Sequence, residues 1–276
     1  MRRRTLLEFS QYRYLKAAGL LVVLALAAYA LDRPPVAPYG GTWLGYVLGT
    51  VAAGLMFFQL WLGVRRRHHQ ASGRLHGWVS AHVYFGVTLV VLASLHSGFQ
   101  LGWNIHSLAY VLVLAMMITG LYGVYLYLRL PRLMTDNMGD DSFQDLLLII
   151  ADLDERAREQ ALNLSDDASD FAIAAIERTT VGGSVFRLLS GNHPDCPTRR
   201  ALSWLEEQRG HPDAVQAKHR RELYSTLLRK ESLLLRVRRD IAFRSRLEFW
   251  LYLHAPLGVA TVTALLAHVM ATLFYR

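Results

Sequence analysis

Five stretches of this chain are long and apolar enough to cross a bilayer, and this limits the fold more than any other feature. A hydrocarbon core about 30 Å thick takes roughly 20 residues of helix at 1.5 Å rise per residue. Runs that meet the requirement fall at Tyr14 to Leu31, Trp43 to Val64, Gly77 to Ser97, Ser107 to Leu128 and Leu247 to Phe274. The first run follows Met1-Arg2-Arg3-Arg4, as the apolar part of a signal peptide would. It is too long for one, lacks a small-residue cleavage signature and precedes further spans, so a retained helix is expected.

The basic residues set the expected orientation, because Lys and Arg accumulate in cytoplasmic loops. With the N-terminus inside, Arg2 to Arg4, Arg65 to Arg67 with Arg74, Arg129 with Arg132, and Arg236, Arg238, Arg239, Arg244 and Arg246 all fall on the cytoplasmic face. Arg33 and Arg276 are left outside. The expectation is a multi-pass protein of the cell inner (cytoplasmic) membrane, N-terminus in and C-terminus out. The net charge of +8 is then explained by topology and anionic membrane lipid, and nucleic acid is not expected as a partner. Cys196 is the one cysteine, which excludes an internal disulfide, a Cys-ligated iron–sulfur cluster and the Cys-x-x-Cys-His attachment of c-type haem.

Three domains are expected: residues 1–131 as transmembrane helices one to four, 132–246 as a cytoplasmic helical domain, and 247–276 as transmembrane helix five. In the insertion, residues 142–163, 167–180 and 215–240 carry the 3.6-residue apolar period of helices, with a loop at GNHPDCP. Residues 132–180 hold 12 acidic and 4 basic side chains, and residues 181–246 hold 7 acidic and 14 basic. That polarity fits either a hairpin of the two halves or an acidic surface that docks a basic partner.

The histidines inside the spans carry the chemistry, since ionisable residues at membrane depth face a bundle interior or a cofactor. His82 and His96 lie in the third run, His254 and His268 in the fifth, and both pairs are 14 positions apart. Fourteen residues of α-helix rise about 21 Å and turn about 1400°, which returns the second side chain to within about 40° of the first. The third and fifth spans run the same way in the expected topology. His82 therefore comes level with His254, and His96 with His268. A bis-histidine haem between two helices needs one imidazole from each, and this arrangement supplies that twice. Gly86 and Gly258 each follow the first histidine of their helix by four residues, where a missing side chain gives room for a flat macrocycle. The competing reading is four polar residues hydrogen-bonded between helices. His106, at the outer end of the fourth span, is the reserve ligand. His68, His69 and His76 sit near Arg65, Arg66, Arg67 and Arg74, where they could meet haem propionates, though interfacial solvation is favoured. His193, His211 and His219 are expected at the surface of the insertion.

With His-x13-His on its third and fifth spans, an Arg-rich loop before the third, and this order of spans, the chain resembles the ferric reductase and NADPH oxidase transmembrane domain over roughly residues 43–131 and 247–274. By the same spacing it is similar to the di-haem cytochrome b of bc complexes, but it has no Pro-Glu-Trp-Tyr quinol-oxidation motif. The resemblance implies two haem b groups, ligated by His82 with His254 and by His96 with His268. The family's flavin and NADPH module has no counterpart in this sequence, no Gly-x-Gly-x-x-Gly occurs, and the 132–246 insertion is foreign to the family core.

The expectation is an all-α, five-span, haem-binding bundle that works as a di-haem b-type cytochrome subunit. It would carry electrons across the membrane between redox partners such as a cytoplasmic reductase and a c-type cytochrome. A quinone-coupled membrane oxidoreductase subunit is the second possibility, and a haem-free scaffold or assembly factor the third.

Overall fold

The computed structural model describes residues 11–35, 37–66, 72–208 and 214–274. All regular secondary structure among them is helical: α1 (Arg13–Leu31), α2 (Trp43–Arg66), α3 (Ser72–Ser97), α4 (Ile105–Met138), α5 (Phe143–Ala161), α6 (Asp166–Glu177), α7 (Val185–Ser190), α8 (Pro197–Glu207) and α9 (Ala214–Phe274). Five helices are long and apolar enough to span a membrane: α1, α2, α3, α4 and α9. The chain divides into two compact units, Met1–Leu128 with Trp250–Arg276 and Arg129–Phe249.

In the first unit α1, α2 and α3 pack around Ala25, Leu44, Leu48, Ala52, Leu92 and Leu95. Ala25 and Ala52 are small enough for close helix approach, which carries association where lipid removes the hydrophobic drive. The outer faces are the reverse of a water-soluble surface. Leu20 is 62% exposed, Ile118 68% and Val259 63%, an apolar cover that suits hydrocarbon and would aggregate in water. Trp43, Trp61 and Trp103 are exposed at or beyond span ends, where indoles favour the headgroup region. At the end of α3, Gly98 has φ +58°, and a Cβ there would sit 1.9 Å from the Pro38 carbonyl oxygen, so this turn requires glycine.

Two helices run further than their sequences suggest. α4 passes Leu128, and even Pro131, to reach Met138; one missing backbone donor costs a single ladder bond, and the helix resumes beyond it. The segment 215–240 and the fifth span form one helix, α9. Residues 241–246 (IAFRSR) contain neither Gly nor Pro, so nothing there breaks the backbone ladder.

In the second unit α5 starts on a capping box: Ser142 Oγ accepts from the Asp145 N–H at 3.1 Å, and the Ser142 N–H donates to Asp145 Oδ2 at 3.0 Å. These bonds hold the Asp145 carboxyl below its ordinary pKa. Leu146, Ile150 and Leu153 of α5 meet Leu233, Leu234 and Val237 of α9. A second cluster joins Ala157, Ala172, Ala201, Leu205, Leu223 and Leu227 from α5, α6, α8 and α9. The acidic half therefore folds onto the basic half, with Arg236 bridging to Asp141 at 2.9 Å and Lys230 to Asp154. α7 and α8 flank the expected loop. The spacing Thr198, Ala201, Leu202, Leu205, all buried, with Pro197 as a helix-starting residue, was a legible signal for α8.

His193 is 5% exposed, which corrects its expected place at the surface. Burial, and then the Arg238 and Arg187 charges, hold its imidazole below the ordinary value of 6.5. The unfolded chain therefore takes up this proton first as pH falls below about 6.5, and His193's contribution to stability is lost there. Beside it, Cys196 is 2% exposed, and Arg238 donates to Cys196 Sγ at 3.3 Å and to the Thr180 carbonyl at 2.7 Å.

The buried Cys196 gives a direct readout of this unit's opening. Below pH 6.5, His193→Gln is expected to slow thiol labelling of Cys196 relative to the unsubstituted protein at the same pH, with the difference vanishing above pH 7.5 or so. Lys230 is buried, and it also donates to the Ala175 carbonyl at 2.8 Å. Lys230→Ala should destabilise the unit by about 3 kcal/mol, seen as roughly 100-fold faster labelling under exchange conditions, because it strands Asp154 and that carbonyl.

Candidate functional site

α3 and α9 each present two imidazoles, and the structure brings all four together in the pairs that the 14-residue spacing suggests. The His82 and His254 ring centroids lie 6.5 Å apart with planes at 76°. Those of His96 and His268 lie 5.9 Å apart at 87°. Because the earlier histidine of α3 meets the earlier one of α9, and the later meets the later, the two helices run parallel. The two levels are separated along each helix by about 21 Å of rise.

In three of the four rings a ring nitrogen is hydrogen-bonded from outside the pair. His96 Nδ1 is 2.7 Å from the Gly45 carbonyl oxygen of α2; a carbonyl only accepts, so Nδ1 carries the proton and Nε2 keeps its lone pair. His254 Nδ1 is 2.9 Å from Thr119 Oγ1 of α4. That hydroxyl already donates towards the Ala115 and Met116 carbonyls, at 3.1 and 3.0 Å. With its one hydrogen committed, Thr119 accepts from His254, and again Nδ1 is the protonated nitrogen. His268 Nδ1 is hydrogen-bonded to His106 Nδ1, with ring centroids 4.5 Å apart. His106, the reserve ligand of the sequence reading, thus sits against His268. The His82 backbone carbonyl accepts from Gln59 Nε2 at 2.9 Å.

Small residues make the space. A Cβ at Gly49 would lie 2.6 Å from His96 Cε1, and one at Gly120 would lie 3.6 Å from His254 Cε1. Trp250 stacks on His254 with centroids 5.2 Å apart at 25°, and its indole N–H donates to the Thr119 carbonyl at 2.8 Å. A Cβ at Gly123 would lie 2.1 Å from Trp250 Cζ2, so that glycine admits the indole. Gly86 faces Gln59 Nε2 of α2, 3.2 Å from a Cβ position, and Gly258 faces Met116 Cε of α4 at 3.5 Å.

Gly45, Gly49, Thr119, Gly123 and Trp250 were not singled out in the sequence. Gly and Thr are common in membrane helices, and no spacing ties α2 or α4 to particular histidines. Trp250 did carry a signal, standing four residues before His254 on the same helical face. His68, His69 and Arg67 lie outside the described residues, as do the side chains of Arg65, Arg66, Arg74 and His76. Among the described residues no group of three or more His, Cys, Asp or Glu side chains forms a metal site. Comparisons with protein-family models, curated proteins and solved structures gave no match.

Gly123→Ala should cost roughly 1–3 kcal/mol by overpacking, lowering the thermal midpoint in detergent and changing Trp fluorescence as Trp250 leaves His254. Gly19→Ala, where nothing lies within 4 Å of the new Cβ, is the matched substitution expected to leave both unchanged.

Proposed function

We propose that this chain is a di-haem b-type cytochrome subunit that carries electrons across a membrane. The observation that carries the reading is the spacing of the two imidazole pairs. Two metal–imidazole bonds of about 2.0 Å, plus about 1.2 Å from each nitrogen to its ring centre, put the centroids of a bis-imidazole site about 6.4 Å apart. The pairs stand at 6.5 and 5.9 Å. Direct hydrogen bonding, which would favour polar glue, brings rings closer, as in His106 with His268 at 4.5 Å.

His82 with His254, and His96 with His268, would hold the two groups through Nε2. Each haem b would supply a one-electron ferric–ferrous couple. The chain's own part is to hold these imidazoles in place. The Gly45 carbonyl and the Thr119 hydroxyl fix the ring orientation and proton position of His96 and His254, and Trp250 braces the His254 ring. A polar anchor behind a ligand also raises its basicity, which is how a protein tunes such a couple. In this reading the apolar spans and the surrounding lipid would limit water at both levels.

In this reading the membrane is the cell inner membrane, with the N-terminus and residues 132–246 cytoplasmic and the C-terminus external, as the arginine distribution favours. The level of His82 and His254 then lies towards the cytoplasm. Electrons would pass between a cytoplasmic reductase or a quinone and an external acceptor such as a c-type cytochrome.

The purified, detergent-solubilised protein is expected to give a low-spin b-type spectrum with about two haems per chain by pyridine haemochrome. His96→Ala should remove one haem and His82→Ala the other. A colourless protein would support the scaffold reading instead, and a low-spin spectrum that survives all four substitutions would show that other residues are the ligands.

A further inference from the structure

His106 stands in the first turn of α4 and is not needed to complete either imidazole pair. Its Nδ1 nevertheless bonds to His268 Nδ1. Two nitrogens in one hydrogen bond share one proton, which leaves two tautomers. If His106 donates, a neutral His268 carries its proton on Nε2 and has no lone pair for a metal. If His268 donates, its Nε2 is free, as it is for His96, whose Nδ1 proton goes to a carbonyl that has no hydrogen to give, and for His254 where the Thr119 hydroxyl directs its hydrogen to the α4 carbonyls.

We propose that His106 is the positioning residue of the His96–His268 level, accepting the Nδ1–H of His268 and thereby holding that ring in its ligating tautomer. The inference rests on the di-haem reading and adds a difference between the two levels. Both rings of this pair lean on strong acceptors, a backbone carbonyl for His96 and an imidazole nitrogen for His268. At the other level His254 leans on a hydroxyl already spent as a donor. A stronger acceptor draws the Nδ1 proton outward, makes the imidazole a better electron donor and favours the oxidised metal. His106 accordingly biases the couple at its own level and leaves the other alone. Thr272 Oγ1, bonded to the His268 carbonyl at 2.9 Å, touches that residue's backbone and leaves the ring nitrogen to His106.

The test compares His106→Phe, which keeps a ring and removes the acceptor, with His106→Asn, whose amide oxygen can occupy nearly the position of Nδ1. Redox titration followed optically is run on full-length protein with haem supplied in excess, alongside low-temperature electron paramagnetic resonance of the oxidised state. His106→Phe is expected to keep two low-spin haems but shift one reduction equilibrium about fivefold towards the reduced form. That is about 40 mV at 59 mV per decade for a one-electron couple. The low-spin signal of that haem should change, the second haem should be unmoved, and His106→Asn should restore both values.

Loss of one haem in His106→Phe without rescue by Asn would overturn the proposal by making His106 itself a ligand. An unchanged potential and signal, or an equal shift of both haems, would overturn it as well, leaving the di-haem reading intact. Unsubstituted protein without haem would overturn both.

Discussion

Everything distinctive in this bundle depends on placing four imidazoles inside an apolar bilayer. Each is a polar side chain whose burial costs free energy unless its nitrogens are satisfied. The chain meets that requirement in stages. A 14-residue repeat returns the second histidine of each helix close to the face of the first. The parallel course of α3 and α9 then sets the pairs level, and groups on α2 and α4 hydrogen-bond the Nδ1 atoms of His96, His254 and His268. What results is two pairs of rings with centroids 6.5 and 5.9 Å apart.

The helices that carry no paired histidine are therefore more than lipid-facing walls. α2 supplies the Gly45 carbonyl and, at Gly49, the absence of a side chain where the His96 ring lies. α4 supplies Thr119 and, at Gly123, the space that the Trp250 indole takes beside His254. On both helices a glycine makes room and a hydrogen-bond partner lies behind the ring. A ring held on both sides does not rotate to find another partner, and that is what preorganises a ligand.

The spans and the pairing of histidines were legible because both follow from periodicity: about 20 apolar residues per crossing, and 14 residues between imidazoles. Helices α5 and α6 were legible for the same reason, whereas α8 is obscured by the Pro- and Gly-containing loop that precedes it. The continuity of α9 was missed because a change from charged to apolar residues near Leu247 reads as a boundary, yet the backbone needs a breaker to end a helix and finds none. Thr119, Gly45 and His193 could not be read at all. Their roles depend on tertiary neighbours more than 50 residues away for the first two and on burial for the third. Part of the charge polarity of residues 132–246 goes into internal ion pairs, Asp141 with Arg236 and Asp154 with Lys230.

In the proposed function the gap between each imidazole pair would seat a flat iron macrocycle. A high-resolution cryo-electron microscopy map of the detergent-solubilised protein decides this. Planar density with a strong central peak is expected between His82 and His254, and again between His96 and His268. Rings hydrogen-bonded directly across each gap, or apolar side chains filling it with no such density, would contradict it.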